Sequence, residues 1–336
     1  MYLDHFGLGC NPFSLTPDPR FLFLTAGHRE ALAALLFAVT ERKGFMVMSG
    51  EAGTGKTTLI KKLLLSIPST CAQFSVVVNP ALTRSELLEY ILLDFGERNI
   101  PASKALRLSL FQRLLLNAHA EGKTSVLVID EAHLLTAELV DEIRLLSNFE
   151  TPEQKLLQII LAGQNELNAI LNLESMRHVK QRVAIRAHIG PLTRPEINSY
   201  LVTRWKRAHS SVRLPFSPEA IELLAESSGG IPRVINAICD AAVVNACGTK
   251  ATVIGRSEVQ EVLRDLAISA GSPPTPIPVA PVSYVSSPAL PASRSTKNGS
   301  TIPSLPSLER YASGRPKVSN LWKVATWFRV ARSEAE

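Results

Sequence analysis

The chain has 336 residues, of which 46% are hydrophobic and 20% are charged. It is too apolar for a wholly disordered protein and long enough for about two domains. No run approaches the roughly 18 uncharged apolar residues of a membrane-spanning helix, and the N-terminus lacks a basic and apolar signal peptide. The composition disfavours a transmembrane receptor, a secreted protein or a collagen-like fibre, and we expect a cytoplasmic protein.

The positive charge of the chain is concentrated near its C-terminus. The whole sequence carries 36 Lys and Arg against 30 Asp and Glu, a net charge of +6. Residues 1–268 hold 28 basic and 27 acidic side chains, whereas residues 269–336 hold 8 and 3. Since the larger part is nearly neutral, its charge alone does not predict a protein that binds nucleic acid.

Composition and periodicity divide the sequence into four parts. Residues 272–310 contain nine Pro and nine Ser, a composition that buries too little apolar surface to fold and predicts a disordered linker. Only helical patterns occur between residue 193 and this linker. We therefore place boundaries after residues 192, 268 and 310, which gives a mixed domain 1–192, a helical lid 193–268, a linker 269–310 and a short basic-aromatic segment 311–336.

Helices and short apolar strands alternate through the first domain. In chain order the pattern predicts helix 28–43, strand 44–49, helix 57–66, strand 74–78, helices 85–95 and 103–120, strand 125–129, helix 137–149, and strands 156–161 and 183–189. Ser85 is the expected N-cap of its helix. Continuous apolar strands between helices indicate an α/β fold with a parallel sheet sandwiched by helices. The lid is predicted to contain helices 194–208, 217–227, 232–246 and 257–266.

A glycine-rich loop lies between the first predicted strand and its helix, and its sequence matches GxxxxGK[ST]. Glycines let successive amide groups point at phosphate oxygens, and the following helix adds the positive end of its dipole. This pattern predicts a P-loop that binds a nucleotide, with a lysine on the β- and γ-phosphates and a threonine hydroxyl on Mg²⁺. The expected contact residues are Gly50, Glu51, Ala52, Gly53, Thr54, Gly55, Lys56, Thr57 and Thr58.

Two acidic residues, Asp130 and Glu131, follow the buried strand 125–129. Side chains at the carboxyl ends of parallel strands lie where α/β proteins bind ligands. Asp130 is the expected second Mg²⁺ ligand, directly or through water. Glu131 is expected to orient and activate the water that attacks the γ-phosphate. A protein that only binds nucleotide needs no acid at Glu131, so this residue favours hydrolysis over a nucleotide-gated scaffold.

Further polar residues follow in an order that suits phosphoryl transfer. Gln164 lies just beyond the next strand and is expected to position the water, although a simple turn is the alternative. Arg182 is the preferred arginine finger, acting on the nucleotide of a neighbouring subunit, with Arg177 and Arg186 as alternatives. Arg233 begins a lid helix and is expected to reach the phosphates and to report the nucleotide state.

In this order, these residues resemble the AAA+ ATPases. Further segments resemble the general secretion pathway protein A family, which is similar to ATPases of exosortase loci and of transposition; these segments are residues 2–21, 28–32, 161–167 and 230–240. The resemblance implies an ATP- and Mg²⁺-dependent enzyme that forms a ring or filament with ATP between subunits. It assigns the glycine-rich loop to Walker A, the two acids to Walker B, Gln164 to sensor 1 and Arg233 to sensor 2.

The resemblance also carries implications for both ends of the chain. It places Pro12 and Phe13 in the adenine pocket, with a hydrophobic staple as the alternative. Family members continue into a membrane-spanning helix and a peptidoglycan-binding domain, whereas a Pro/Ser-rich linker follows here, so a cell-wall role for this chain alone is not expected. Residues 321–336 place Trp322 and Trp327 among basic residues. Such a segment docks on a membrane surface or a partner protein, or is a disordered end with incidental aromatics.

Two functions are compatible with these patterns. The first is an ATPase that supports a bacterial secretion or envelope-assembly system, and we expect it in the cytoplasm, either free or peripheral at the inner face of the membrane. The alternative is a DNA-binding regulatory ATPase of the transposition or replication-initiator type. A basic stripe favours that alternative, while the neutral charge of residues 1–268 does not; the stripe comprises Arg177, Lys180, Arg182, Arg186, Arg194, Arg204 and Lys206.

Overall fold

The computed structural model describes residues 2–208 and 212–268, so the predicted linker and the basic-aromatic segment lie outside the described residues. Five strands are present: β1 (Phe45–Gly50), β2 (Ala72–Val77), β3 (Thr124–Ile129), β4 (Leu157–Gly163) and β5 (Val183–Ile189). The described helices of the first domain are α1 (Tyr2–His5), α2 (Ala26–Thr40), α3 (Lys56–Ser66), α4 (Arg84–Asp94), α5 (Lys104–Ala120), α6 (Ala137–Leu146), α7 (Glu166–Asn172) and α8 (Arg177–Lys180). Those of the lid are α9 (Arg194–Arg207), α10 (Pro218–Ser228), α11 (Pro232–Thr249) and α12 (Arg256–Asp265).

All five strands pair in parallel, in the order β2-β3-β4-β1-β5. The three central strands, β1, β3 and β4, are buried along their whole length, as their continuous apolar sequences predict. The edge strands β2 and β5 are only partly buried. Because β4 lies between β3 and β1, the carboxyl ends of these three strands are neighbours.

Successive strand residues point to opposite faces of the sheet and enter two separate cores. Met46 and Val126 pack with apolar side chains of α2 and α3 on one face. Phe45 and Leu127 pack with side chains of α4, α5 and α6 on the other. The predicted arrangement, a parallel sheet sandwiched by helices and followed by a helical lid, is confirmed.

The third core belongs to the lid and includes residues from the start of the chain. Phe6, Phe13 and Phe21 are buried among the side chains of α9, α10, α11 and α12. The Phe13 ring lies 6.1 Å from the rings of both Trp205 and Phe216. The N-terminal segment (residues 2–21), which we expected to be part of the nucleotide-binding domain, therefore packs against the lid helices, whereas Leu22 and Leu24 pack with α2 and α3.

Arg204 of α9 holds the N-terminal segment to the lid from within this core. Its guanidinium donates to the carbonyl oxygens of Pro12 and Phe21. It also lies 5.0 Å from the centre of the Phe21 ring and 5.4 Å from that of Tyr200. Since Arg204 is 7% exposed, it does not contribute to the basic surface stripe in which the sequence placed it.

Some local features differ from the sequence prediction. Helix α4 is capped by Thr83 rather than Ser85, because Thr83 and Glu86 form a reciprocal capping box. The short helices α1, α7 and α8 were not predicted, since four to seven residues carry too little periodicity. In the described part of the chain, no helix has the length and apolar character needed to cross a membrane.

Candidate nucleotide-binding site

The glycine-rich loop connects the end of β1 to the start of α3. Gly53 and Gly55 have φ angles of +80° and +104°, which side-chain-bearing residues rarely adopt. A Cβ atom on Gly53 would lie only 2.7 Å from Cβ of Arg233. The loop therefore needs glycine both for its conformation and for the close approach of the lid.

Lys56 is folded into the loop and is 5% exposed. Its Nζ donates to the carbonyl oxygens of Gly50 and Glu51 at 2.9 and 2.8 Å. Burial lowers the pKa of Lys56, while nearby carboxylates, Glu131 and Asp130 foremost, oppose that shift. A buried ammonium group surrounded by main-chain carbonyls and acids is suited to a phosphate ligand, whose negative charge restores the interactions lost from water.

The two predicted metal ligands are in direct contact. The Thr57 hydroxyl donates to Asp130 Oδ2 at 2.7 Å, and the Glu131 amide donates to Asp130 Oδ1 at 3.0 Å. No group of three or more His, Cys, Asp or Glu side chains suited to a metal ion occurs among the described residues. This pair fits Mg²⁺, which commonly combines one or two protein oxygens with water and phosphate oxygens.

Glu131 follows at the end of β3 and has a left-handed backbone, with φ 53° and ψ 34°. Its side chain is 43% exposed, and Oε2 lies 3.4 Å from His133 Nδ1. At the end of the neighbouring strand β4, the Gln164 side-chain amide lies 3.1 Å from His133 Nε2. No role was predicted for His133, because a single histidine after two acids has no diagnostic spacing.

Arg233 reaches the loop from the first turn of α11. Its amide donates to the Gly53 carbonyl at 3.3 Å. Its Nε is buried and has no hydrogen-bond partner among the described protein atoms. A buried guanidinium N–H without an acceptor is costly, and an anionic ligand at the loop would supply one. This orphaned donor fits a bound phosphate group.

His28 of α2 contacts the glycine-rich loop, and the sequence did not predict it as a site residue. It is 2% exposed, and its Nε2 lies 3.1 Å from the Thr54 carbonyl while Nδ1 lies 2.7 Å from Thr25 Oγ1. Because a carbonyl only accepts, Nε2 carries the proton and Nδ1 accepts from the threonine hydroxyl. Burial lowers the pKa of His28, which favours this neutral ring.

The remaining loop residues are near the surface or in ordinary contacts. Glu51 and Ala52 are exposed, Thr54 is buried and donates to the Glu51 carbonyl at 2.8 Å, and Thr58 is half-buried on α3.

Pro12 is buried with Phe13 against the lid. The place of Pro12 and Phe13 in an adenine pocket stays a prediction, since their described contacts are with lid residues.

The three candidate finger residues are exposed. Arg182 precedes β5 and donates to Ser147 Oγ at 2.9 Å and Asn148 Oδ1 at 2.5 Å. This places Arg182 at the amino edge of a sheet whose carboxyl edge carries the P-loop. Arg186 lies within β5, and Arg177 begins α8. Arg182 therefore lies at the opposite edge of the sheet from the P-loop of its own subunit.

The fold and this site define a P-loop NTPase of the AAA+ class. Residues 39–171 match the protein family described as an AAA domain. The fold resembles that of the ORC2 protein of Aeropyrum pernix, with 17% identity, a TM-score of 0.60, and coverage of 76% of this chain and 71% of that one. Cdc6p of Pyrobaculum aerophilum gives 18% identity, a TM-score of 0.60, and coverage of 76% and 70%. At these identities the likeness concerns the fold alone.

A closer sequence relationship defines the family. Over 250 residues the chain is 40% identical to General secretion pathway protein A of Aeromonas hydrophila, a match that covers 73% of this chain and 45% of the relative. The chain belongs to the general secretion pathway protein A family of AAA+ proteins. It matches less than half the length of that relative.

Proposed function

We propose that this chain is a Mg²⁺-dependent ATPase that hydrolyses ATP between neighbouring copies in a ring or filament. The observation that carries the proposal is the 2.7 Å contact between Thr57 and Asp130, with Glu131 immediately beyond it. A hydroxyl and a carboxylate at this position suit a metal ion bridging to phosphate, and the next acid is placed for a water molecule.

Each side chain has a separate role in the proposed reaction. Lys56 exchanges its loop carbonyls for phosphate oxygens, and Thr57 and Asp130 hold Mg²⁺. The metal ion, when bound, neutralises charge on the β- and γ-phosphates. Glu131 orients the attacking water and accepts its proton, and Gln164 fixes the position of that water.

The lid and a second copy complete the proposed site. The buried guanidinium of Arg233 donates to the γ-phosphate, so the position of α11 responds to the nucleotide state. Arg182, with Arg177 and Arg186 as alternatives, is proposed as the finger for the nucleotide of a neighbouring copy. Its position at the amino edge of the sheet supports action between copies.

For the biological role, we infer support of a bacterial secretion or envelope-assembly system. The 40% identity to General secretion pathway protein A carries this inference. We propose a cytoplasmic protein that is peripheral at the inner face of the membrane, with residues 321–336 binding the membrane surface or a partner protein.

A DNA-binding ATPase is the second candidate. One solved structure with a similar fold is that of Drosophila ORC bound to DNA, at 18% identity, a TM-score of 0.60, and coverage of 79% of this chain and 66% of that one. The basic stripe loses buried Arg204 but retains exposed members that favour binding to phosphates: Arg177, Lys180, Arg182, Arg186, Arg194 and Lys206.

The hydrolytic assignment is tested by two substitutions. Glu131→Gln should still bind ATP, but its turnover rate should fall by at least about 100-fold, because the amide cannot accept the water proton. Lys56→Ala should lose ATP binding itself. Glu138→Gln, an exposed acid on α6 paired with Arg84, is the matched control and should leave both unchanged. Normal turnover by Glu131→Gln would show that another group acts as the base.

The role is tested by turnover as a function of protein concentration, for the full chain and for residues 1–268, with anionic liposomes or DNA added. Turnover that rises with concentration, and with liposomes only in the full chain, supports the membrane-associated oligomer. Stimulation of both proteins by DNA, with no effect of liposomes, would overturn the envelope proposal in favour of the DNA-binding candidate.

A further inference from the structure

His28 is a buried titratable side chain to which the proposed reaction gives no role. It lies in the first turn of α2 and is 2% exposed. Its Nε2 lies 3.1 Å from the Thr54 carbonyl oxygen, and a Cβ atom on Gly55 would lie 3.3 Å from the same nitrogen. The ring therefore lies directly against one peptide bond of the glycine-rich loop, the bond between Thr54 and Gly55.

The direction of the Thr54 carbonyl fixes the direction of the next N–H group. A peptide bond is planar and trans, so the C=O of one residue and the N–H of the next point to opposite sides of the chain. With the Thr54 carbonyl aimed at His28, the Gly55 N–H points to the opposite side of the loop. Among the described residues this N–H has no acceptor. Gly55 is the N-cap of α3, so its N–H adjoins the unpaired N–H groups of the first turn, where a phosphate binds.

Glycine by itself leaves this peptide bond free to turn over. Gly55 has a φ angle of +104°, and glycine adopts positive and negative φ angles about equally well. If the peptide turned over, its carbonyl oxygen would face the phosphate in place of its N–H group. An acceptor oxygen facing an anion is repulsive, so only one of the two orientations suits the ligand. A donor at the Thr54 carbonyl selects that orientation.

Thr25 determines which ring nitrogen of His28 is the donor. As the N-cap of α2, Thr25 accepts the His28 main-chain N–H on Oγ1 at 3.2 Å, which leaves its hydroxyl proton for another partner. Nδ1 of His28 lies 2.7 Å from the same oxygen and accepts that proton. The neutral ring then carries its own proton on Nε2, which faces the Thr54 carbonyl. One imidazole ring thus joins the start of α2 to the loop peptide.

We propose that His28 is a positioning residue of the phosphate site, which holds the peptide bond between Thr54 and Gly55 with its N–H group facing the nucleotide. The ligands concerned are nucleoside di- and triphosphates, because the main-chain N–H groups of such a loop contact the α- and β-phosphates that both possess. His28 acts through the loop backbone and needs no contact with the nucleotide. The inference rests on the proposed nucleotide binding and adds the side chain that prepares the loop for it.

The test compares His28→Leu with His28→Gln in the full chain, by equilibrium titration with ATP and with ADP and by steady-state kinetics. Leucine fills the space of the ring without a donor. Affinities for ATP and ADP should therefore fall together by about 10- to 100-fold, as for a lost hydrogen bond to a charged group. KM should rise with the loss of affinity, while kcat at saturating ATP stays within about threefold. Glutamine places its Nε2 near that of the ring and should keep all four quantities within about threefold of the wild type.

Two further comparisons separate positioning from general stability. His119→Leu removes a partly buried histidine of α5, whose Nδ1 lies 2.6 Å from Arg42 Nη1, and should leave both affinities within about twofold. Thr25→Val removes the hydroxyl that fixes the tautomer of His28 and should weaken binding of both nucleotides by about 3- to 10-fold. Thr25→Ser keeps the hydroxyl and should match the wild type. If His28→Leu fails to fold by circular dichroism, the two Thr25 variants carry the comparison.

The outcomes distinguish this inference from the function on which it rests. A folded wild type that binds neither ATP nor ADP would remove the proposed nucleotide site itself. Binding that is lost in Lys56→Ala and unchanged in His28→Leu would overturn the role of His28 alone. So would leucine and glutamine variants that bind equally weakly, or a leucine variant with normal ADP affinity and a low kcat.

Discussion

Gly53 is the point at which the lid touches the P-loop, and its replacement by alanine has two separable costs. The φ angle of +80° is strained for any other residue, which costs about 1–2 kcal/mol. The new Cβ atom would also lie 2.7 Å from Arg233 Cβ and 3.1 Å from Ile231 Cγ2. Overpacking of this kind adds about 1–3 kcal/mol.

Arg233 Cβ is bonded directly to the backbone of the lid, so no rotation of a side chain can move it away. To restore a contact of 3.4 Å, the start of α11 must move by about 0.7 Å, the difference between 3.4 and 2.7 Å. We therefore expect Gly53→Ala to lower the free energy of unfolding by about 2–5 kcal/mol. ATP affinity should fall by at least about tenfold, because Arg233 moves with the helix.

Gly122 provides a matched control for the backbone term. It has a φ angle of +77°, and a Cβ atom there would meet nothing within 4 Å. Gly122→Ala should cost only the 1–2 kcal/mol or so of backbone strain and leave ATP affinity unchanged. Urea denaturation followed by circular dichroism, together with equilibrium ATP titration, measures both quantities. Equal losses of stability and equal ATP affinities in the two variants would refute the close approach of lid and loop.

Two buried polar side chains give further expected outcomes. Arg204→Ala removes the donor to the Pro12 and Phe21 carbonyls and should lower the free energy of unfolding by about 2–4 kcal/mol in urea denaturation; a change below about 0.5 kcal/mol would contradict this role. Burial lowers the pKa of His28 in the folded protein. Below about pH 6.5 the unfolded chain therefore binds more protons than the folded chain, and the free energy of unfolding decreases as the pH is lowered toward the pKa of the folded state. His28→Gln should reduce the pH dependence of the free energy of unfolding between pH 7 and 5. An unchanged pH dependence would show that it arises from other residues.

The sequence predicted the elements that have strong local signals. The apolar runs of β1, β3 and β4 and the glycine-rich loop each combine composition with spacing. Asp130 was assigned as a metal ligand from its place after a buried strand, and the structure brings it to Thr57, 73 positions earlier in the chain. That contact follows from the carboxyl ends of β1 and β3, which lie at one edge of a parallel sheet with β4 between them. The alternation of elements had already implied such a sheet.

Other features depend on tertiary contacts that no local pattern contains. The contacts of the N-terminal segment with the lid were not predicted, because its aromatic residues have no periodicity and their partners lie about 190 positions later, as the Arg204 to Pro12 hydrogen bond shows. Arg204 was interpreted as a surface charge, since arginine is rarely buried without partners, and here carbonyls and aromatic rings supply them. His28 acquires a role only through the loop that it contacts.

The dependence of the lid core on the first residues of the chain has a consequence for synthesis. Phe6, Phe13 and Phe21 are synthesised well before the helices that cover them, which end near residue 265. At translation rates of about 5–20 residues per second, these rings wait on the order of ten to fifty seconds for their partners. During that interval the sheet and its flanking helices can already collapse. During that time the nascent chain exposes these aromatic side chains, which are a natural target for chaperones.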